Sequence, residues 1–493
     1  MAEAAPDPAG APGDRLYDAR LAKLDRIAAA GEPLFPARVP RSHLATEARP
    51  LADEPDGPTV DVAGRVVSLR RMGKTTFAVL RDGSGEIQLF LNTGELGAEA
   101  YGHTLDVLDV GDIVSAGGPV FRTRAGEPSV RVQRLTVAVK ALRPLPEKWR
   151  GLQDPEARYR QRYLDIIANQ DVRERFEART RIVSAIRRVL DAQEFMEVET
   201  PSLQPLYGGG NAVPFTTRYE ALDRDFYLRI ADELYLKRLL VAGYERVYEI
   251  CKDYRNEGID RTHCPEFTML EAYQAFADLG DMLRLTESLV VEAAQAVAGD
   301  SRVTHGETTL DFTPPWRQVT YRDAMLEAAG IDLDDQRLTD EQIREAADGR
   351  GIALDAGASR ARMLDELMKT CVEPAFVQPT FLTRYPAETT PLAKRTPDDP
   401  RYVERFEPFV LGMELGNGYT ELNDPIDQRR RLSEQADEDA ESHPVDEDFI
   451  RALEHGMPPA GGLGLGIDRL TMVLTDAANI RDVILFPQLR TPA

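Results

Sequence analysis

Apolar residues recur along this chain with two different periods, and the change of period divides it. Leu16, Leu21, Leu24 and Ile27 fall at roughly helical spacing, which predicts a short amphipathic helix in an N-terminal helical segment over residues 15–58. From 59 to 141 the pattern becomes short alternating runs, VDVAGRVVSLR, TTFAVLRDGSGEIQLFLN and DIVSAGGPVFRTRAGEPSVRVQRLTVAV. Turn dipeptides Asp82-Gly83 and Ala125-Gly126 separate them, as a small antiparallel barrel needs, and an OB-fold suits this length. Periodicity alone leaves other small β-domains open.

Residues 142–170, rich in proline and basic side chains, read as a linker. A helix is predicted over about 172–193, with Phe176, Ile182, Val183, Ile186, Val189 and Leu190 as its apolar stripe. Asp171 and Glu174 resemble a capping box at its start. Strand patterns follow in FYLRI, ERVYEICKDY and EFTMLEAY, with DELYLKRLLVAG between them reading as a helix. Strands and helices mix without regular βαβ alternation, so the class is α+β with an antiparallel sheet. That sheet belongs to a second domain over 171–493, interrupted by a helical insertion at about 318–374.

Composition narrows the function. At 493 residues the chain exceeds what one core usually organises. Residues 1–14 are Ala/Pro/Gly-rich and expected to be disordered. The start has neither a basic nor an apolar leader region, and no apolar run reaches about 18 residues, so a soluble cytoplasmic protein without membrane contact is expected. Cys251, Cys264 and Cys371 form neither a paired framework nor a zinc pattern and are expected to be reduced thiols. A net charge of −23 argues against nucleic-acid binding by the whole surface. The acidity lies elsewhere than the barrel, since residues 61–165 carry 16 Lys and Arg against 13 Asp and Glu. Residues 432–449 hold eight acids and no Lys or Arg, and read as solvated helix or loop.

Period two identifies candidate chemistry. In EFTMLEAY it puts Phe267, Met269, Glu271 and Tyr273 on one face, and in ELGNGYTEL it aligns Asn417, Tyr419 and Glu421. Carboxylates, phenols and an amide on one face suit a cationic head group; half-exposed strands would show the same pattern. Glu407 and Glu414 share a face only if the chain turns near Gly412. They could then hold Mg²⁺, or they are surface acids. GGLGLGIDRL puts glycines before a helix but lacks the Gly-Lys-Ser/Thr of a Walker A loop.

Three ordered strings resemble the signatures of bacterial class II lysine–tRNA ligases. FMEVETPSLQPLYGGGNAVPF from Phe195 is similar to motif 1 and its following loop, YRNEGIDRTHCPEF to motif 2 and GGLGLGIDRLTMVL to motif 3. DELYLKRL, FEPFVLGMELGNGYTELNDP, RDVILFP and MGKTTFAVLRDGSGEIQLF extend the resemblance over nearly the whole chain. It implies an OB-fold anticodon-binding domain, then a six- to seven-stranded antiparallel catalytic sheet flanked by helices, in a homodimer formed through motif 1. The implied reaction is ATP-dependent activation of L-lysine and its transfer to tRNA(Lys), with Mg²⁺.

The resemblance also implies roles. Arg255 would bridge the amino-acid carboxylate and the α-phosphate, Glu257 read the adenine amino group, His263 contact the outer phosphates and Phe267 stack on adenine. Arg469 would cover the other adenine face and reach the γ-phosphate, and Glu407 and Glu414 would hold Mg²⁺. Glu233, Glu271, Tyr273, Asn417, Tyr419 and Glu421 would form the lysine pocket, with Arg255 at the carboxylate. In the barrel, Phe77 and Gln88 match anticodon-reading positions, with Arg65 a phosphate or base contact; Phe77 could instead be barrel core.

Several positions depart from the family pattern. Cys264 stands for Asn, Gly210 for Ala, Val213 for a basic residue and Asp232 for Pro, while Pro128 and Arg134 break the barrel pattern. A weakly donating thiol at Cys264 is expected to loosen a polar contact near the substrates. These departures motivate an alternative, a paralogue that is inhibitor-tolerant or has a changed acceptor. A non-catalytic RNA-binding protein would have lost the motif arginines, and relatives using aspartate or asparagine would lack the Glu233 and Glu271 pair.

Overall fold

The computed structural model describes residues 14–55, 57–146, 152–210, 212–355, 357–438 and 445–490. The expected disordered start lies outside them except for Asp14, as do residues 439–444 of the acidic block. The chain forms two compact units, one reaching Gln153 and the other spanning Asp154–Arg490.

In the first unit, helix α1 (Arg15–Ala29) begins where the Asp14 side chain accepts from the Leu16 amide at 2.7 Å. Of its apolar positions only Ile27 is buried; Leu16 and Leu21 are exposed. Six strands follow: β1 (Thr59–Met72), β2 (Thr75–Arg81), β3 (Glu86–Asn92), β4 (Ile113–Arg122), β5 (Pro128–Arg131) and β6 (Arg134–Val139). Their order is β1-β2-β3-β5-β4-β6, and β1 also pairs with β4, which closes the barrel. The β2–β3 turn is set by Asp82, whose Oδ1 accepts from the Ser84 and Gly85 amides. Two helices, Thr93–Leu96 and Ala98–Val107, connect β3 to β4, an insertion the alternating pattern did not announce. Pro128 opens β5 opposite Arg122, and Arg134 pairs with Asp61 at 2.9 Å, so both departures are accommodated.

The second unit is built on a mixed sheet. Its strands run β10-β11-β12-β14-β15-β9-β8-β7, where β7 is Met196–Glu197, β8 Arg246–Tyr254, β9 Glu266–Ala275, β10 Arg317–Thr320, β11 Thr380–Pro386, β12 Tyr402–Val410, β14 Gly416–Thr420 and β15 Ala460–Gly466. A ninth strand, β13 (Met413–Glu414), folds back on β12. The expected all-antiparallel sheet of six or seven strands is corrected at both edges, where β7 pairs parallel with β8 and β10 parallel with β11. Each edge strand is only two or four residues long, too short to leave an alternation signal. The helical insertion is corrected for the same reason. Its first residues are β10, and the helices begin at Tyr321 (Tyr321–Ala329, Asp340–Asp348 and Arg360–Leu367).

One face of the sheet is apolar and carries helices α2 (Gln170–Ala192) and α4 (Leu279–Ala298), with Ile182, Ile186, Leu190, Leu285 and Leu289 meeting Leu270, Ala272, Leu463 and Leu465. The capping-box expectation fails, because Asn169 is the N-cap and its side chain makes no capping bond, donating instead to Asp165 at 2.6 Å. Asp171 instead lies in the first turn, where an acid suits the helix dipole. Half of the expected linker is also packed helix (Pro155–Arg160 and Arg162–Ala168). Arg162 is buried there, bonding Asp165 at 2.7 Å and the Arg481 carbonyl at 2.6 Å. In the acidic block, Asp446 pairs with Arg238 and Glu447 with Arg429, cations that lie outside that run of the sequence. The opposite face of the sheet, under helix α3 (Glu233–Val241), is polar and carries the site.

Candidate active site

Strand β15 has glycine at every second position on the polar face, and this makes a trough. Glu271 on β9 lies opposite Gly464, which lies opposite Asn417 on β14; in the next row Tyr273, Gly462 and Tyr419 align. A Cβ on Gly464 would lie 2.5 Å from Glu271 Oε1, and one on Gly462 would lie 2.0 Å from Glu421 Oε1. Side chains from β9 and β14 therefore occupy space that β15 leaves empty. The period-two face of the sequence is a real face, and all six expected pocket residues border it.

Helix α3 closes the trough and adds a residue that sequence reasoning missed. Lys237, wholly buried, places Nζ 2.5 Å from both Glu233 Oε1 and Glu421 Oε2 and 5.3 Å from the centre of the Tyr419 ring. Tyr419 also donates to Glu233, and Tyr273 donates to Glu271 Oε2 at 2.9 Å. Burial alone would lower the Lys237 ammonium, but Glu233 and Glu421 outweigh it and hold the group above its ordinary range. Burial pushes the Glu421 carboxyl up to about 8 even with Lys237 beside it. Glu271 is pushed well above the usual carboxylate range, by burial and then by Asp232, Glu233 and Asp253. One internal cation thus faces three pocket carboxylates, and the upward shifts of Glu271 and Glu421 mark a pocket that gains from a further cation. The i,i+4 spacing of Glu233 and Lys237 was legible in ELYLK, but the contact with Glu421 was not.

Removing Lys237 should expose this balance. Lys237→Met is expected to lose about 3–5 kcal/mol, the usual effect of stripping one partner from a buried ion pair. The loss should be smaller at pH 5.5 than at pH 8, because Glu421, already raised to about 8, takes up a proton at the lower pH. Urea unfolding at the two pH values measures this, and equal stability of variant and parent at pH 8 would contradict it.

Of the expected nucleotide-site residues, Arg255 meets Phe267, and His263, Arg469 and Glu414 link to one another. The Arg255 guanidinium stands 5.1 Å over the Phe267 ring, and its Nε is buried without an acceptor. Glu257 is exposed. His263 joins Asp260 through Nδ1 at 2.8 Å and Arg469 through Nε2 at 3.0 Å. Arg469, in the first turn of helix α5 (Ile467–Leu474), also donates to the Glu414 carbonyl at 2.8 Å. That helix is anchored by Asp468, which pairs with Arg179 at 2.6 Å and accepts from the Thr268 amide at 2.7 Å.

Glu407 and Glu414 are brought together by the turn on which their spacing depended. Leu411 and Gly412 both have positive φ, and Glu414 pairs with Phe409, two residues from Glu407 on the same face. Gly412 is needed twice, since a Cβ there would also press on Pro374 and Glu373. Burial and Glu414 raise Glu407 to about 7 against the opposing pull of Arg405. Glu373, which sequence reasoning passed over, is raised to about 7 by burial, Glu407 and Glu414. These are hard oxygen donors of the kind Mg²⁺ takes, although Tyr385 and Arg405 already engage the Glu407 oxygens.

Cys264 does not loosen a polar contact. Its thiol is buried against Met472, Ala477, Ile480 and Val483, an apolar cluster in which a weak donor costs little. A Cβ added at Gly210 would lie 3.9 Å from the Arg255 guanidinium, an ordinary contact, and Val213 is exposed, its carbonyl accepting from the Asn256 amide.

On the barrel, Thr76, Ala78 and Leu80 point inward and Phe77 outward, which removes the core reading of Phe77. Phe77, Phe90 and Phe121 form a row with centroids 5.4 and 5.5 Å apart, flanked by Arg70 and Arg131. Gln88 accepts from Ser129 at 3.0 Å, and Arg65 donates to the Gly111 carbonyl at 2.8 Å. The row crosses three strands, so only the fold displays it.

Comparison with known proteins places this geometry. Residues 60–138 match the OB-fold nucleic acid binding domain. A lysine–tRNA ligase of Chloroflexus aurantiacus is 51% identical over 483 residues, covering 96% of this chain and 98% of its own. Those of Roseiflexus castenholzii, 51% identical over 97% of this chain and 99% of theirs, and Moorella thermoacetica, 49% identical over 96% and 98%, are similar to it as well. Residues 154–490 match the tRNA synthetases class II (D, K and N), and with a trough floored by glycines, lined by acids and closed by helix α3, the chain belongs to that family.

Proposed function

We propose that this protein activates L-lysine with ATP to lysyl-adenylate and transfers the lysyl group to the 3′ end of tRNA(Lys). The observation that carries the reading is the surplus of pocket carboxylates over Lys237. A buried site with more carboxylates than cations favours a substrate ammonium, which lets those acids ionise, and a neutral side chain there would leave them without a partner. Aspartate or asparagine would meet repulsion or nothing.

In this reading Glu233, Glu271 and Glu421 hold the amino acid by charge, with Tyr273, Asn417 and Tyr419 fixing its position. Arg255 holds the amino-acid carboxylate against the α-phosphate, so that attack on phosphorus is intramolecular in effect and the charge it builds meets a fixed guanidinium fork. Phe267 and Arg469 sandwich adenine and Glu257 reads its amino group. His263, held by Asp260, and Arg469 steady the outer phosphates. Glu407 and Glu414 would hold Mg²⁺, which neutralises phosphate charge when bound. No covalent enzyme intermediate is needed.

The barrel is assigned to the anticodon. Phe77 stacks on an unpaired base, Gln88 reads one and Arg65 neutralises phosphate; the aromatic row with its flanking arginines supports this. The protein works in the cytoplasm as a homodimer formed through the motif 1 region, where Met196 and Leu203 are exposed. Among the described residues no helix is long and apolar enough to cross a membrane.

The test is ATP–pyrophosphate exchange with each standard amino acid in turn. Exchange with lysine alone is expected; its absence in pure folded protein, or a preference for aspartate or asparagine, would sink the proposal.

A further inference from the structure

Behind the pocket lies a second acidic group that the proposed reaction does not use. Asp232, just ahead of α3, is 0% exposed, and neither of its carboxylate oxygens has a hydrogen-bond partner. Asp232, Glu249 and Cys251 bring ligand atoms within 4.8 Å of one another. Glu249 on β8 is the direct register partner of Glu271 in the pocket. Its oxygens are already engaged, Oε1 by Arg229 at 2.7 Å and Oε2 by the Thr200 amide and hydroxyl at 3.0 and 2.7 Å. Arg229 also lies 3.4 Å from Asp253.

The charged groups around Asp232 come from every packed element. Arg229 precedes α3; Glu233 and Lys237 lie on it; Glu249, Cys251 and Asp253 lie on β8, with Arg255 just beyond; Glu271 and Tyr273 lie on β9; Tyr419 and Glu421 belong to β14 and its end. Six carboxylates face three cations; Asp232 and Glu421 each have both oxygens buried without a hydrogen bond, but Lys237 pairs with Glu421, which leaves Asp232 as the carboxylate of this group with neither a hydrogen bond nor an ion pair. An ionised carboxylate buried in this way is too costly to persist, so it holds a proton or meets a cation.

We propose that Asp232 is the proton store of the amino-acid pocket: it holds a proton while the pocket is empty and releases it to solvent when a substrate ammonium enters beside Glu271. This deepens the lysine reading and rests on it. Burial first, then Asp253 and Glu249, raise Asp232 well above the ordinary carboxylate range, and an ionised Asp232 would be the largest charged influence raising Glu271, so the empty pocket does not ionise both. An arriving ammonium offsets the carboxylates and lowers their proton affinity. The sign follows. Binding that expels a proton tightens as pH rises, by up to about tenfold per pH unit while the store is protonated. Asp232 acts through Glu271 and Glu249 and is a positioning residue.

Calorimetry of lysine binding to the whole protein, in buffers of different ionisation enthalpy between pH 6 and 8, counts the protons. Release of close to one proton per site is expected, and its loss in Asp232→Asn and Asp232→Ala, with a flattened pH profile of the lysine KM. No release by the parent protein, or equal release by parent and folded variants, overturns the proposal. Should neither variant fold, a parent that releases no proton still overturns the proposal. Stabilisation of the parent but not of Asp232→Asn by Zn²⁺ alone overturns it differently, by assigning Asp232, Glu249 and Cys251 to a metal. Failure to bind lysine at all counts against the lysine reading itself, whereas binding without proton release removes only this inference.

Discussion

Arg255→Lys is expected to slow lysine-dependent pyrophosphate exchange by about 10²–10³, the range seen when one fixed transition-state donor is removed. Arg255 has little freedom to be replaced. Its guanidinium lies over Phe267, and its Nε is buried with no acceptor of its own. A lysine ammonium can supply the charge but not the two-pronged geometry that spans a carboxylate and a phosphate. The effect should therefore fall on kcat more than on the KM for lysine, because the fork matters most as charge builds on the α-phosphate. Steady-state exchange over a range of lysine and ATP concentrations separates the two. A variant within tenfold of the parent in kcat would show that Arg255 is not the bridge.

Glu271→Ala is expected to abolish measurable lysine activation, a loss of about 10² or more, corresponding to 3–5 kcal/mol when one member of a buried charge pair is removed. Nothing nearby can substitute. Gly464 and Asn417 share its row, and Glu233 and Glu421 are already engaged by Lys237. Stability should move the other way. Glu271 is held well above its ordinary range by burial and by its acidic neighbours, so the empty protein gains when this carboxylate goes. Thermal unfolding without lysine should thus show the variant equal to or above the parent, while exchange is lost. Loss of both together would mean that Glu271 holds the fold rather than the substrate.

These two variants separate what the pocket needs from what the fold needs, and the same division runs through the sequence. Where the signal was local, it survived. The alternation in EFTMLEAY put Glu271 and Tyr273 on one face, Asp82-Gly83 marked a turn and ELYLK marked a helix. The acids at Glu407 and Glu414 were ambiguous because their meaning depended on a single turn, which Leu411 and Gly412 make with positive φ. Arg162 looked like part of a basic linker because its acceptors include carbonyls more than 300 residues away. Cys264 looked polar by its motif position, although its neighbours come from the apolar residues around Met472 and Ile480.

By itself the sequence determined the periods of the strands, the two-part organisation, the family and the residues that carry its motifs, because these depend on spacing of a few residues and on ordered strings. Tertiary structure decided which faces meet. Glu233 and Tyr419 touch across 186 residues, Lys237 closes onto Glu421, Glu373 joins Glu407 and Glu414, and three phenylalanines from separate strands make one row. It also buried Asp232 with its oxygens unsatisfied. Alternation tells a side chain which side of its strand it occupies, but the energy of a buried charge depends on neighbours that only the strand order and the packing of α3 bring near.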